Sequence, residues 1–211
     1  MEQLVNNRVA SGYFGPHETI RADSYVILAS ILSQPPSEML MRILRSLDWD
    51  EALPPDLADN LKTLRQAGST YSLPTVEEEF NKLFVGLGSG EIVPYASWYR
   101  EGRIQALPLA SLRSDLIALG IVRQADKHDY EDHVAALCEI MALVSQDPGG
   151  VPFAAQAAFF QHHVASWMFR FFEDLFSARS ADFYRIVATF GRNFLKYENE
   201  YLRYGLTNKE E

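Results

Sequence analysis

The sequence predicts an all-α fold, a single helical bundle, and three observations carry that prediction. Apolar residues return every three or four positions along most of the 211 residues, which is the period of a helix with one buried face. No stretch alternates apolar and polar residues for more than a few positions, so strands are not expected. Prolines and glycines gather between the periodic segments, at Pro35-Pro36, Pro54-Pro55 and Pro148-Gly149-Gly150, where they mark helix boundaries. With 47% hydrophobic and 22% charged residues the chain is long enough to fill one core, and one domain over residues 1–211 is expected.

Residues 1–16 follow no period and are expected to be loosely ordered. From Glu18 onward Ala22, Tyr25, Val26, Ala29 and Leu32 share a face, and Pro35-Pro36 stops that helix. A second helix over 37–47 has Ser37 as its N-cap and Met39, Leu40, Ile43, Leu44 and Leu47 as apolar positions. Residues 48–54 connect it to a third, which starts at Pro54-Pro55-Asp56, carries Leu57, Leu61 and Leu64, and is expected to end at Gly68.

Thr75, with Glu78 three residues on, forms a capping box that opens the central helix. Val76, Phe80, Leu83, Phe84 and Leu87 lie on one face of it. Gly86, Gly88 and Gly90 then break the period, and Pro94 restricts both itself and Val93, so the backbone is expected to run extended into a turn. Tyr95, Trp98 and Tyr99 crowd that turn. Ordering a loop costs entropy, so three aromatics there either pin it to a core or offer a surface to a ligand.

Residues 100–106 read as a polar linker. Leu109, Leu112, Leu116 and Leu119 make the next helix, closed by Gly120. Asp129 is the expected N-cap of a helix bearing Val134, Leu137, Cys138, Met141 and Val144. The helix over 153–176 is apolar around most of its circumference, through Ala157, Phe160, Val164, Trp167, Phe171 and Leu175 and also Phe159, Met168, Phe169, Phe172 and Phe176, which places it inside a bundle. The last helix, over 181–202, buries Phe183, Ile186, Val187, Phe190, Phe194 and Tyr197, and residues 206–211 are expected to fray.

Composition excludes several functions. A formal net charge of −9 disfavours nucleic acid and anionic membrane and favours a basic partner. The single cysteine, Cys138, permits no intramolecular disulfide and no cysteine-rich metal site. The N-terminal stretch MEQLVNNRV has neither a signal-sequence pattern nor adjacent arginines, and no apolar run is long enough to cross a membrane, so a cytoplasmic location without stable membrane insertion is expected. Nucleophile-elbow and phosphate-loop motifs are absent, and Gly86-Leu87-Gly88-Ser89-Gly90 lacks the strand-to-helix setting of a dinucleotide fingerprint.

Two features hold chemistry. His128/Asp132 and Asp129/His133 are i,i+4 pairs that can set two metal ligands on one helical face, which would suit a small metal-dependent hydrolase using Asp129, Asp132 and His133. The only other clustered histidines, His162 and His163, are adjacent on a helix and point apart, and the Glu-x-x-His pairs of di-iron bundles are missing. As local structure, Asp129 and Asp132 cap a helix, and a neighbouring carboxylate would hold His133 protonated. The second feature is the aromatic turn with Glu77, Glu78, Glu79 and Glu91 nearby, a composition that suits a peptide carrying arginines and an apolar segment. A structural helical module, with the turn as an oligomer contact, is a third reading.

The helix reading x-F-x-x-L-F, the glycine-rich link and P-Y-A-S-x-Y together resemble the TorD/DmsD/NarJ-type chaperones of molybdenum-containing oxidoreductases. Two later segments match in order: Tyr130-Glu131-Asp132-His133 ahead of E-I-M-A-L, and Gln156 to Trp167, which is similar to Q-x-x-F-x-x-x-H-x-x-x-W. The resemblance implies a TorD-like all-helical fold, no enzymatic activity and no cofactor beyond weak guanine nucleotide binding, for which no site can be located. It implies that the partner is the apo-form of a molybdoenzyme catalytic subunit and its twin-arginine signal peptide, held for cofactor insertion before export, with the chaperone a monomer or a domain-swapped dimer. It puts Phe80, Leu83, Phe84, Pro94, Tyr95, Ser97, Tyr99, Asp132 and His133 at peptide-binding or groove-shaping positions, with Asp132 as the partner of an arginine. Tyr130 and Trp98 depart from the family pattern, which bears on the identity of the cargo.

Overall fold

The computed structural model describes residues 13–14, 17–49, 53–85, 90–104, 107–121, 131–146 and 151–207. In chain order these form β1 (Tyr13–Phe14), α1 (His17–Leu32), α2 (Glu38–Arg45), β2 (Asp48–Trp49), α3 (Pro55–Thr70) and α4 (Leu73–Phe80), which runs into a π-helical turn over Asn81–Val85. Next come α5 (Ala96–Glu101), α6 (Leu107–Ala118), α7 (Val134–Gln146) and α8 (Phe153–Phe159). A second π-helical stretch, Phe160–Ala165, leads into α9 (Ser166–Ser177), and α10 (Phe183–Thr207) closes the chain. The all-α prediction holds, with one exception. The two short strands pair in parallel, Tyr13 with Asp48 and Phe14 with Trp49, so the expected connection after α2 begins as a strand.

Most of the predicted apolar positions are buried, although Phe176 is 40% exposed and Ile186 and Tyr197 are half-buried. On α1, Ala22, Tyr25, Val26, Ala29 and Leu32 are all buried, and they pack along α7, where Val134, Leu137, Cys138, Met141 and Val144 are buried in turn. The long α10 packs on α3, α8 and α9, and the apolar side chains of all these elements form one continuous cluster. Close packing in that cluster depends on glycine at Gly191, where a Cβ would come within 2.3 Å of the Phe172 ring. No helix among the described residues is long and apolar enough to cross a membrane.

The departures lie mostly at helix ends. Ser72, not Thr75, caps α4: its Oγ accepts the Thr75 N–H at 3.4 Å, and Pro74 sits in the first turn, where a missing N–H costs nothing. Gly68 does not end α3, which continues to Thr70. It lies where α3 meets α2, and a Cβ there would approach Leu44 Cβ to 2.9 Å and the Arg45 nitrogen to 3.1 Å. On α2 the inward methionine is Met41, while Met39 is 54% exposed. The expected aromatic turn and the start of the linker are the short helix α5, ended by Gly102 at φ 71°. The C-terminal helix extends through Leu206 and Thr207, with Gly205 packed against the Phe153 ring. Residues 1–12, Leu87, the glycines at 86 and 88, Asp129, Tyr130, Pro148-Gly149-Gly150 and residues 208–211 lie outside the described residues.

Candidate peptide-binding site

The site is built where residues 90–99 cross the start of α7. After the π-helical turn the chain doubles back: the Glu91 N–H donates to Lys82 O at 3.3 Å and the Ile92 N–H to Leu83 O at 2.8 Å. A Cβ on Gly90 would fall within 2.3 Å of Leu83 O, so only glycine allows this return. Tyr95 then bridges His133 in antiparallel fashion, with the Ala96 N–H on Asp132 O (3.0 Å) and the Val134 N–H on Pro94 O (2.9 Å). Pro94 has no N–H to offer and the bridge asks it only for a carbonyl.

This crossing explains the acidic and histidine side chains beside it. The N-cap of α5 is Tyr95, whose side chain cannot cap, and the Asp132 Oδ2 takes the Ser97 N–H at 2.9 Å in its place. His133 stands before α7, and its Nδ1 accepts the Ala135 N–H at 3.2 Å. That contact gives Nδ1 an accepting role in the first turn of α7.

Of the nine sequence-derived positions, Pro94, Tyr95, Ser97, Asp132 and His133 form one junction, with the Tyr95 and His133 rings 4.9 Å apart. Tyr99, one helical turn on, lies against Trp167 at 5.4 Å and Phe171 at 6.1 Å, and burial with the Asp174 carboxylate raises its hydroxyl pKa. Phe80, Leu83 and Phe84 form a separate side, joined to the junction through the Leu83 carbonyl. Leu83 and Phe80 are core residues, while half-buried Phe84 meets the Tyr184 ring at 5.4 Å. Asp132, which the resemblance makes the partner of an arginine, is only 2% exposed in this structure. Its second oxygen, Oδ1, and the Ser97 Oγ are both buried with no hydrogen-bond partner among the described residues.

The acidic surroundings are also partly committed. Glu79 accepts the N–H groups of Asp182, Phe183 and Tyr184 at 2.7, 3.0 and 2.7 Å, and Glu91 holds the backbone of Arg179 and Ser180 together with the Ser180 hydroxyl. Glu78 pairs with Lys82 on the surface. Among the described residues no group of three histidine, cysteine or acidic side chains could hold a metal ion. Asp129 lies outside them, and the Asp132 and His133 side chains each cap a helix instead of converging.

Sequence reasoning missed the partners supplied by α6. Arg113 forks onto Glu131, Nε–H to Oε1 at 2.8 Å and Nη2–H to Oε2 at 3.1 Å, and Asp115 Oδ2 meets His163 Nε2 at 2.6 Å. His163 passes that tie on, since its carbonyl accepts the Trp167 indole N–H at 2.8 Å, beneath Tyr99. His162 points away and is exposed, as expected of adjacent helical positions. No spacing in the sequence announces these long-range pairs.

Burial lowers the His163 pKa below its ordinary 6.5, and the Asp115 contact offsets this only in part. The folded chain then binds fewer protons than the unfolded one just below pH 6.5, so this contribution is complete above 6.5 and is lost as pH falls toward the lowered value. Melting temperatures measured from pH 8 to 5 are expected to drop on the acid side, and His163→Gln to flatten part of that slope. An unchanged slope would assign the acid sensitivity to carboxylates.

The sequence pattern of the nitrate reductase delta subunit family matches residues 50–173. A chaperone protein TorD of Aliivibrio fischeri is 26% identical over 202 residues, covering 86% of this chain and 94% of its own. A crystal structure from Archaeoglobus fulgidus, described as a redox enzyme maturation protein, shares the fold with a TM-score of 0.57 at 16% identity over 84% of this chain and 93% of its own. The chain belongs to the nitrate reductase delta subunit family, and it is a TorD-type chaperone of redox enzyme maturation, not an enzyme.

Proposed function

We propose that this chaperone binds the twin-arginine leader of a molybdenum-cofactor oxidoreductase at the crossing of residues 94–99 with the start of α7, and holds the enzyme for cofactor insertion before export. The observation that carries the reading is the pair of buried, unpartnered atoms there, Asp132 Oδ1 and Ser97 Oγ. Buried polar atoms in native folds are normally satisfied, and exceptions gather where a ligand completes the set. A guanidinium supplies several donors in a planar fork, which is what a carboxylate oxygen and a hydroxyl can accept. Asp132 thus has two tasks: one oxygen orders α5, and the other meets the ligand once the site opens.

Around these atoms lie half-buried Tyr95, Tyr99 packed against Trp167, and Trp98, which is 43% exposed and suits an apolar side chain of the leader. The net charge of −9 speeds encounter with a basic segment, so affinity should weaken with salt. The test is a titration with a synthetic twin-arginine leader and its double-glutamine version, followed through Trp98 and Trp167. Saturable binding that falls about tenfold or more without the arginines is expected, since charge-assisted hydrogen bonds are each worth roughly 1.5–3 kcal/mol. Equal binding of both peptides, or unaltered affinity in Asp132→Ala, would remove this site from the reading.

A further inference from the structure

The fork between Arg113 and Glu131 is not accounted for by capping or by core packing. Glu131 directly precedes Asp132, is 8% exposed, and has one guanidinium laid across both of its oxygens. That arginine comes from α6, whose Leu109, Leu112 and Leu116 are buried while Ile117 on the same helix is 76% exposed. A second tie, Asp115 to His163, fastens α6 beside the Trp167 against which Tyr99 packs. An arginine on a buried carboxylate, carried on a helix with an apolar face, offers the same two chemistries as a twin-arginine leader.

The described site is also closed. Asp132 is 2% and Glu131 8% exposed, so an arginine from outside reaches Asp132 only when a neighbouring element gives way, and Glu131 only when the half-exposed Arg113 side chain moves aside. Two leader arginines need two acceptors, and consecutive Glu131 and Asp132 offer them. One already holds an arginine from the chain itself, and the other has an oxygen without a partner.

We propose that α6 is a resident occupant of the leader site, that Glu131 is the second arginine acceptor beside Asp132, and that the leader displaces Arg113 from it. The inference rests on the leader reading above. Exchange of one fork for another leaves the Glu131 carboxylate partnered throughout, which avoids the penalty of a bare buried charge. It also favours arginine over lysine, because an ammonium cannot reproduce the bidentate geometry. The observed affinity is then the intrinsic one reduced by the fraction of time α6 holds the site.

The experiment uses the full chain, the synthetic twin-arginine leader and its double-glutamine version. Arg113→Gln is expected to bind the arginine peptide about tenfold more tightly, mostly through a faster association rate, because the competitor is gone. Glu131→Gln is expected to bind it about tenfold more weakly, and neither change should alter the glutamine peptide. Arg113→Lys, which keeps the charge without the fork, should fall between wild type and Arg113→Gln. Hydrogen exchange on the wild type gives an independent readout that needs no variant to fold: leader binding should speed exchange of the α6 amides. An Arg113→Gln protein that folds yet binds no better, or an α6 that stays protected under a bound leader, overturns this inference while the leader reading stands. Wild type and Arg113→Gln that both ignore the arginine peptide overturn both.

Discussion

Replacing Glu198 by alanine is expected to lower the unfolding free energy by about 3–5 kcal/mol, the cost of leaving one partner of a buried ion pair uncompensated. Glu198 is fully buried near the end of the chain, and Arg21, near its start, donates Nε–H to its Oε2 at 2.7 Å and Nη2–H to its Oε1 at 2.8 Å. The network continues from Arg21 Nη1–H to Gln156 Oε1 at 3.1 Å, from the Tyr25 hydroxyl to Glu198 at 3.3 Å, and through the guanidinium over the Tyr201 ring at 4.9 Å. It ties α1, α8 and α10 at one point. Burial pushes the Glu198 carboxyl up and the Arg21 fork opposes this. Both oxygens accept from the Arg21 fork. Removal of the carboxylate strands a guanidinium that is 4% exposed. Urea denaturation reads the loss, and the double variant Arg21→Met/Glu198→Leu should recover most of it, because an apolar pair of similar volume avoids both desolvation costs. A double variant as unstable as Glu198→Ala would mean that the geometry of the polar network, and not its charge balance, organises the three helices.

That network also shows where sequence reasoning stopped. The faces of α1, α7 and α10 were legible because burial repeats every three to four residues, and Tyr25, Leu137 and Phe190 could be assigned from neighbours alone. Arg21 and Glu198 sit on those same faces, where period alone cannot distinguish a buried ion pair from an exposed one. The π-helical turns at Asn81–Val85 and Phe160–Ala165 were illegible for another reason. An extra residue per turn is imposed by what packs around the helix, and an amphipathic stripe tolerates it. Gly68 misled because its usual meaning is a helix end, whereas here it makes room for Leu44 and Arg45 on the neighbouring helix.

At the candidate site, motif order singled out residues that the fold partly brings together, while the i,i+4 spacing pointed to a metal cluster that the described residues do not form. In the sequence Asp132 reads as a helix cap, and Asp132 and His133 stand in i,i+4 pairs as candidate metal ligands. They precede α7, and each holds a backbone N–H, Asp132 across the crossing and His133 within its own turn. The aromatic stretch looked like a loop because Gly90 and Pro94 precede it, yet an acidic cap from 35 residues away is enough to wind it into α5. A cap donated from elsewhere in the chain leaves no local trace.

The same device, on a larger scale, underlies the second strong expectation. Glu79→Ala should cost about 3–5 kcal/mol, since two buried N–H groups and one part-buried one lose a charged acceptor, and each orphan is worth roughly 1–3 kcal/mol before water makes up part of the loss. The Glu79 carboxylate takes the N–H groups of Asp182, Phe183 and Tyr184, so α4 caps α10 from 103 to 105 residues away. A negative charge at that end also meets the positive pole of the helix. The consequence reaches the site, because the capped turn carries Tyr184, against which Phe80 and Phe84 pack at 6.0 and 5.4 Å. Glu79→Gln keeps an acceptor oxygen but turns an amide toward one of the three donors, so it should fall between wild type and alanine. The measurement is urea denaturation of both variants beside a leader titration at a concentration where each is folded. Loss of stability with unchanged leader affinity would confine the cap to holding α10 in place. Loss of both would make Phe80, Phe84 and Tyr184 a working wall of the groove, positioned by one buried carboxylate.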